Sequence, residues 1–136
     1  MYEGRPFRGE LHSADASGGV VIPLYEDGSL TAYTLKDNEY LVIHSVELIS
    51  AAGGDTFLFI GADGTEGAGE YIVRGTVAAN GGIVQELIPP HSGDLGYLVY
   101  AQAPNGAVDA VIRGFIRTGK SNDYVKESWK ATDYGQ

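Results

Sequence analysis

Hydrophobic and polar residues alternate along most of the chain with the two-residue period of a β-strand. The clearest case is residues 39–50, where both faces are apolar at first and one face becomes polar towards the end. That pattern is typical of a strand that leaves the centre of a sheet. Similar segments predict strands at 7–12, at the edge of a sheet, and at 19–25, 29–35, 55–61, 70–78, 83–88, 95–102 and 107–117.

Turn residues separate these segments. Asn80-Gly81 predicts a tight turn, because both residue types tolerate a positive φ angle, and we expect residues 71–88 to form a hairpin around it. Pro89-Pro90 is expected to end that hairpin, since proline has no amide hydrogen for the strand ladder. Many short strands between such turns predict an all-β single domain, a β-sandwich with jelly-roll-like topology. The apolar positions expected in its core are Leu41, Ile43, Val46, Leu48, Phe57, Phe59, Ile72, Val99 and Ile112.

One segment departs from the strand pattern. Residues 121–131 fit a helix, with Val125 and Trp129 four positions apart. They follow the last predicted strand, so they extend past the sandwich. The expected organisation is therefore an N-terminal arm or edge strand at 1–18, a β-sandwich at 19–117 and a C-terminal arm at 118–136.

Length and composition exclude several classes of protein. A chain of 136 residues is too short for a (β/α)₈ barrel, which needs roughly 250 residues. No apolar run approaches the ~20 residues of a membrane-spanning helix, and no apolar region follows Met1, so we expect neither a membrane partner nor a secretory signal. The absence of cysteine excludes disulfides and thiolate nucleophiles.

The charge is acidic and uneven. Asp and Glu number 18 against 9 Lys and Arg, a formal charge of −9, which argues against nucleic acid as a partner. Residues 51–110 contain one basic and seven acidic side chains, whereas residues 111–136 contain five and three. The mildly basic end of the chain is attracted to an acidic surface, its own or a neighbour's.

Catalytic motifs are missing from the sequence. The three histidines have no His-x-His spacing, and neither a nucleophile elbow nor a phosphate-binding loop is present. Glu47, Glu70 and Glu86 are candidate paired carboxylates, but scattered glutamates in a sheet are usually outward-facing polar positions. We expect no enzyme activity and no cofactor.

The acidic loop 61–70 is the best candidate for a bound ion. Asp63, Glu66 and Glu70 offer hard oxygen donors on a glycine-rich backbone, which suits Ca²⁺. The loop lacks the ligand spacing of an EF-hand, so a solvated loop explains its charge better than an ion site does. We therefore expect no obligatory metal.

Aromatic residues are common towards both ends of the chain. Tyrosine and tryptophan are enriched where an apolar surface meets a polar rim, as in protein interfaces. Trp129 lies beyond the last predicted strand, flanked by polar residues, as an anchor to a neighbouring surface would be. The residues expected at an interface are Tyr2, Phe7, Tyr124, Lys126, Trp129, Lys130 and Tyr134.

These features together resemble a known class of viral protein. An acidic, cysteine-free all-β chain with Asn80-Gly81-Gly82 and Pro104-Asn105-Gly106 turns, a central strand and a long last strand is similar to bacteriophage capsid decoration (cement) proteins and to small structural domains of phage heads and tail fibres. The likeness covers about residues 19–117 and is one of pattern.

The resemblance implies a location and a role. It implies a non-enzymatic virion protein, assembled in the host cytoplasm, that binds the capsid exterior as a homotrimer. There it stabilises the shell by bridging subunits of the major capsid protein through its terminal arms.

A binding module is the alternative. A carbohydrate- or receptor-binding β-sandwich, as in tail fibres, would use exposed tyrosine and tryptophan as stacking platforms. Trp129 and the loop 61–70 would then lie close together. The oligomeric state separates the two interpretations, because a monomer with an exposed aromatic cleft favours sugar binding.

Overall fold

The predicted all-β sandwich is confirmed. The computed structural model describes residues 4–65, 69–104 and 106–119, which form two antiparallel sheets packed on a shared core. One sheet has the strand order β3-β1-β9-β4-β7, and the other has the order β2-β8-β5-β6. Within these ranges no helix is long and apolar enough to cross a membrane. The strands are β1 (Arg5–Asp15), β2 (Val20–Val21), β3 (Leu24–Glu26), β4 (Glu39–Ser50), β5 (Gly54–Gly61), β6 (Gly69–Val77), β7 (Gly81–Ser92), β8 (Leu98–Gln102) and β9 (Ala107–Thr118).

The strand pairs are nested along the chain. β5 pairs with β6, β4 with β7, β2 with β8, and β1 with β9, and every pair is antiparallel. Turns around residues 51–53, 78–80 and 103–106 therefore carry the chain from one sheet to the other. This nesting favours the jelly-roll-like topology, which stays a prediction.

The predicted hairpin over residues 71–88 is wrong. Asn80 does adopt a positive φ of 62°, and the Gly81 N–H donates to the Ala78 carbonyl at 2.7 Å, so the tight turn is present. However, β6 pairs with β5 in one sheet and β7 pairs with β4 in the other. Turn residues determine a local reversal, but the pairing partner depends on which faces of each strand are buried.

The N-terminal strand is longer and more central than predicted. β1 lies between β9 and β3, so it is not an edge strand, and the sandwich begins at Arg5 rather than at residue 19. Phe7 is buried in the core. Gly9 fills a position without space for a side chain, because a Cβ there would lie 2.6 Å from Cγ1 of Ile112.

Two other predicted segments differ. Residues 19–25 form the two short strands β2 and β3, which belong to different sheets and are separated by Ile22 and Pro23. Residues 29–35 form no strand and contribute only an isolated bridge between Tyr33 and Leu24. Pro89-Pro90 does not end β7, which runs on to Ser92.

The core between the sheets is mostly as predicted. Phe57 and Phe59 are buried but lie on the opposite face of β5 from Leu58 and Ile60, which belong to the core cluster. Ile72 is only partly buried. The predicted residues found in the core cluster are Leu41, Ile43, Val46, Leu48, Val99 and Ile112.

Candidate interaction surface

The two sides of the sandwich end in very different edge strands. On one side the edges are β2 and β3, of two and three residues. On the other side they are β6 and β7, of nine and twelve residues. Very short edge strands protect a sheet from pairing with other chains, whereas long ones leave backbone groups unpaired. The β2–β3 side is called the closed side below, and the β6–β7 side the open side.

A buried carboxylate fastens the closed side. Glu39 is only 4% exposed, and its Oε2 accepts a hydrogen bond from Arg5 at 2.5 Å. Its Oε1 accepts from the Tyr33 hydroxyl at 2.6 Å and from the Lys36 N–H at 3.0 Å. Arg5 also pairs with Glu26 at 2.6 Å. These bonds hold the segment that follows β3 against β1.

The same contacts determine the protonation of Glu39. Burial by itself raises the pKa of the carboxyl group, because it penalises the charged form. The hydrogen bonds from Tyr33 and Lys36 and the charge of Arg5 outweigh burial, so the pKa lies below the ordinary value of 4.5. The ionised form of Glu39 therefore stabilises the fold.

The open side exposes apolar side chains on β7. Val84 is 79% exposed and Ile88 is 87% exposed. Their neighbour Leu87 turns inward and packs against the core. Val84 and Ile88 lie on either side of Glu86 on one face of the strand, so they form a mixed apolar and acidic surface that another molecule can cover.

A bulge displaces the second half of β7. Glu86 pairs with Ser45 and His91 pairs with Ile43, so residues 87–90 have only His44 opposite them on β4. Pro89 and Pro90 lie in this stretch and have no amide hydrogen. This half of the strand is therefore unsuited to adding another strand, although its side chains remain available for contact.

The open side is also acidic. Glu47 lies on β4 opposite Val84, and Glu86 is exposed two residues further along β7. Glu70 on β6 is exposed, and its Oε1 lies 3.0 Å from Nε2 of His91 on β7, in a geometry that is not a hydrogen bond. The set of Val84, Glu86, Ile88 and the adjacent Glu47 is called the β7 strip.

The outer face of the β2-β8-β5-β6 sheet carries an aromatic cluster. The Phe59 ring stacks on Tyr100 with centroids 5.3 Å apart. Phe57 meets Tyr71 edge to face at 5.2 Å. Burial, with the charge of Asp63, raises the pKa of the Tyr100 hydroxyl. Because these rings pack on one another, only Tyr71 presents substantial surface to solvent.

An arginine covers the end of this cluster. Arg74 lies 5.0 Å from the Phe57 centroid and 4.8 Å from the Tyr71 centroid. It donates two hydrogen bonds to Asp55, at 3.1 and 2.6 Å, and these bonds lower the pKa of that carboxyl group. The outer face is thus an internally satisfied structural layer.

The acidic loop does not gather its candidate ligands. Asp63 accepts a hydrogen bond from the Thr65 N–H at 2.8 Å, while Glu70 pairs with His91. Glu66 lies outside the described residues. In the part of the chain that the structure describes, no group of three or more His, Asp or Glu side chains could hold a metal ion.

The histidines lie on three different strands. His12 on β1 is 3.2 Å from Glu10, and His44 on β4 meets Phe115 edge to face at 5.4 Å. His91 lies on β7, and both β9 and β4 separate β7 from β1. The structure therefore does not bring His12 and His91 into one site.

One of the predicted interface residues is buried, and the others lie outside the described part of the chain. Phe7 is buried in the core, so its side chain is not available to a neighbouring surface, and that prediction is wrong. The others lie outside the described residues: Tyr2, Tyr124, Lys126, Trp129, Lys130 and Tyr134.

Sequence reasoning missed the open side. The signal was the run from Ile83 to Ile88, which has apolar residues on both faces of a strand that is not central. A half-exposed edge strand needs apolar residues on one face only, so the extra pair is Val84 and Ile88. No protein-family model matches the chain, and neither does any curated protein or solved structure.

Proposed function

We propose that this chain is a non-enzymatic structural protein that works as a homotrimer on a larger assembly. The assembly is the exterior of a phage capsid, where the protein bridges subunits of the major capsid protein. The observation that supports this proposal is the exposure of Val84 and Ile88 on a long edge strand. A surface of this kind is stabilised when another chain covers it.

The size of the apolar surface limits how much free energy it contributes to association. Complete burial of one valine or isoleucine side chain contributes about 1.5–3 kcal/mol. Val84 and Ile88 together thus supply roughly 3–6 kcal/mol, whereas association costs about 4–15 kcal/mol in lost freedom. A stable oligomer therefore needs further contacts.

The C-terminal arm supplies such contacts in this proposal. Its sequence places Tyr124 and Trp129 beside Lys126 and Lys130. Aromatic anchors contribute affinity, and complementary charge contributes register and a faster encounter. Loss of a buried tryptophan costs about 3–5 kcal/mol, which is enough to abolish a weak assembly.

Trp129→Ala tests the proposal. We expect the wild-type chain to sediment as a trimer and the variant as a monomer with an unchanged strand signal in far-UV circular dichroism, because the arm acts between chains. Assembled phage shells should carry wild-type protein into the pellet and leave the variant in solution. A wild-type monomer that binds oligosaccharides would instead support the carbohydrate-binding alternative. A variant that still sediments as a trimer but melts at a lower temperature would show that Trp129 packs on its own domain, against the proposal.

A further inference from the structure

We propose that the β7 strip is the surface that receives the C-terminal arm of a neighbouring copy. The inference rests on the proposed homo-oligomer and names the two surfaces that meet in it. The occupant is the segment 120–136 of a second chain, and the receiving residues are Val84, Glu86, Ile88 and Glu47.

The arm leaves the sandwich near the end of β7. The Gly119 N–H donates to the Asn38 carbonyl at 2.7 Å, and Gly119 lies against the side chain of Leu95. Leu95 belongs to the connection that follows β7, where the Gly93 N–H donates to the Leu41 carbonyl at 2.9 Å. Gly119, directly after β9, and the end of β7 thus lie at the same end of the sandwich.

The arm is long enough to reach another copy. With the predicted helix over 121–131, those residues span about 16 Å at roughly 1.5 Å per residue, and the other six residues of 120–136 add up to roughly 20 Å when extended. A five-stranded sheet is only about 19 Å wide, because neighbouring strands lie roughly 4.8 Å apart. The reach therefore exceeds the width of the sandwich, and a strip on an adjacent chain lies within range.

The chemistry of the two surfaces is complementary. Along β7 the strip alternates apolar, acidic and apolar side chains, with Glu47 beside it. The arm combines aromatic residues with Lys126 and Lys130, which meet carboxylates at the rim of such a contact. The arm as a whole has no net charge, since it also contains Asp123, Glu127 and Asp133 beside its three lysines. Arg113 is 3.8 Å from Glu47 and partly balances its charge, so Glu86 contributes most of the negative charge of the strip.

Charge also argues against the strip of a second copy as the occupant. Two β7 strips placed face to face would bring Glu47 and Glu86 of each chain towards the same carboxylates of the other. Like charges in a contact are unfavourable. In addition, Pro89, Pro90 and the bulge prevent a continuous ladder between two β7 strands. The arm has no net charge, because its three lysines are balanced by three acidic residues, so it meets the strip without net repulsion and without a strand ladder.

A mixing experiment tests this assignment. The double variant Val84→Ser with Ile88→Ser has a damaged strip and an intact arm. The variant Trp129→Ala has an intact strip and a damaged arm. Leu30→Ser is the matched control, because Leu30 is 91% exposed but follows β3 on the closed side. Each chain is prepared at full length, one of them with heavy isotopes, and masses are read by native mass spectrometry.

The expected masses are specific. The control should assemble like the wild type, while each strip or arm variant alone should assemble at least tenfold more weakly. An equimolar mixture of the two should form a 1:1 complex, since one intact arm then meets one intact strip. An unchanged strand signal in far-UV circular dichroism shows that both variants remain folded.

Different failures have different meanings. A mixture that stays monomeric, or a strip variant that assembles like the wild type, overturns the strip as receptor and leaves the proposed oligomer standing. Loss of assembly in the strip variant but not in Trp129→Ala would assign the strip to another part of a second copy, against the inference. A wild-type chain that is monomeric at every concentration overturns the proposed function itself.

Discussion

Replacing Glu39 by glutamine tests the clamp on the closed side. The change removes one buried negative charge but keeps the size of the side chain and one carbonyl oxygen. That oxygen can still accept the hydrogen bonds from the Tyr33 hydroxyl and the Lys36 N–H. The new amide group, however, presents hydrogens to Arg5, which is itself a donor. The variant therefore loses the charged bond and gains an unfavourable contact.

The contacts around Arg5 limit how much stability the Glu39→Gln variant loses. A hydrogen bond to a charged group contributes about 1.5–3 kcal/mol. Arg5 keeps a second partner, Glu26, and its side chain is 44% exposed, so water partly replaces the lost hydrogen bond to Glu39. We expect Glu39→Gln to lower the free energy of unfolding by about 2 kcal/mol. For a chain of this length that corresponds to a thermal midpoint lower by roughly 7 °C.

Glu26→Gln provides the matched control. It makes the same chemical change on a carboxylate bound to the same arginine, but the Glu26 side chain is 36% exposed instead of buried. Exposed ion pairs contribute less than about 1 kcal/mol. Urea unfolding at neutral pH should therefore separate the two variants by more than 1 kcal/mol. Equal stabilities for Glu39→Gln and Glu26→Gln would refute the argument that burial makes the clamp strong.

The remaining predictions concern pH, two glycines and one surface ion pair, all read by urea unfolding. The pKa of Glu39 in the folded chain lies below 4.5, so its contribution to the free energy of unfolding is complete above about pH 4.5 and is lost as the pH falls through that folded-state pKa. A difference in stability between wild type and Glu39→Gln that stays constant on acidification contradicts this. Gly114→Ala should destabilise the fold strongly, since its Cβ would overlap the Val42 carbonyl oxygen. Gly18→Ala should leave stability nearly unchanged, since no atom lies within 4 Å of the Cβ position. Equal effects of the two variants would show that the backbone relaxes around Gly114. Asp55→Asn should leave stability nearly unchanged, because its pair with an arginine is exposed. A clear loss of stability would mean that the outer face depends on that pair.

Strand positions follow from the sequence because alternation is local. The pattern at 39–50 predicts β4 with the bounds it has, and the pattern at 107–117 predicts β9 to within one residue. Strand partners do not follow in the same way. Asn80 marks a reversal in either arrangement, and the observed pairing of β6 with β5 and of β7 with β4 depends on contacts between distant segments.

The candidate site was harder to predict than the fold. Val84 and Ile88 look like ordinary strand residues until the strand order shows that β7 is an edge. Phe7 looks like part of an exposed arm until its pairing partners on both sides place it in the core. Exposure depends on contacts between distant parts of the chain, and a single sequence contains no direct signal of those contacts.

The central claim is that the open side holds copies of this chain together. The most direct measurement is the mass of the full-length protein in solution by sedimentation equilibrium, with Ile88→Ser and Leu30→Ser beside it. The account predicts three times the chain mass of 14.4 kDa for the wild type and for Leu30→Ser, and a shift towards the single-chain mass for Ile88→Ser. A wild-type mass of 14.4 kDa at every concentration, or an Ile88→Ser variant that remains as large as the wild type, would contradict it.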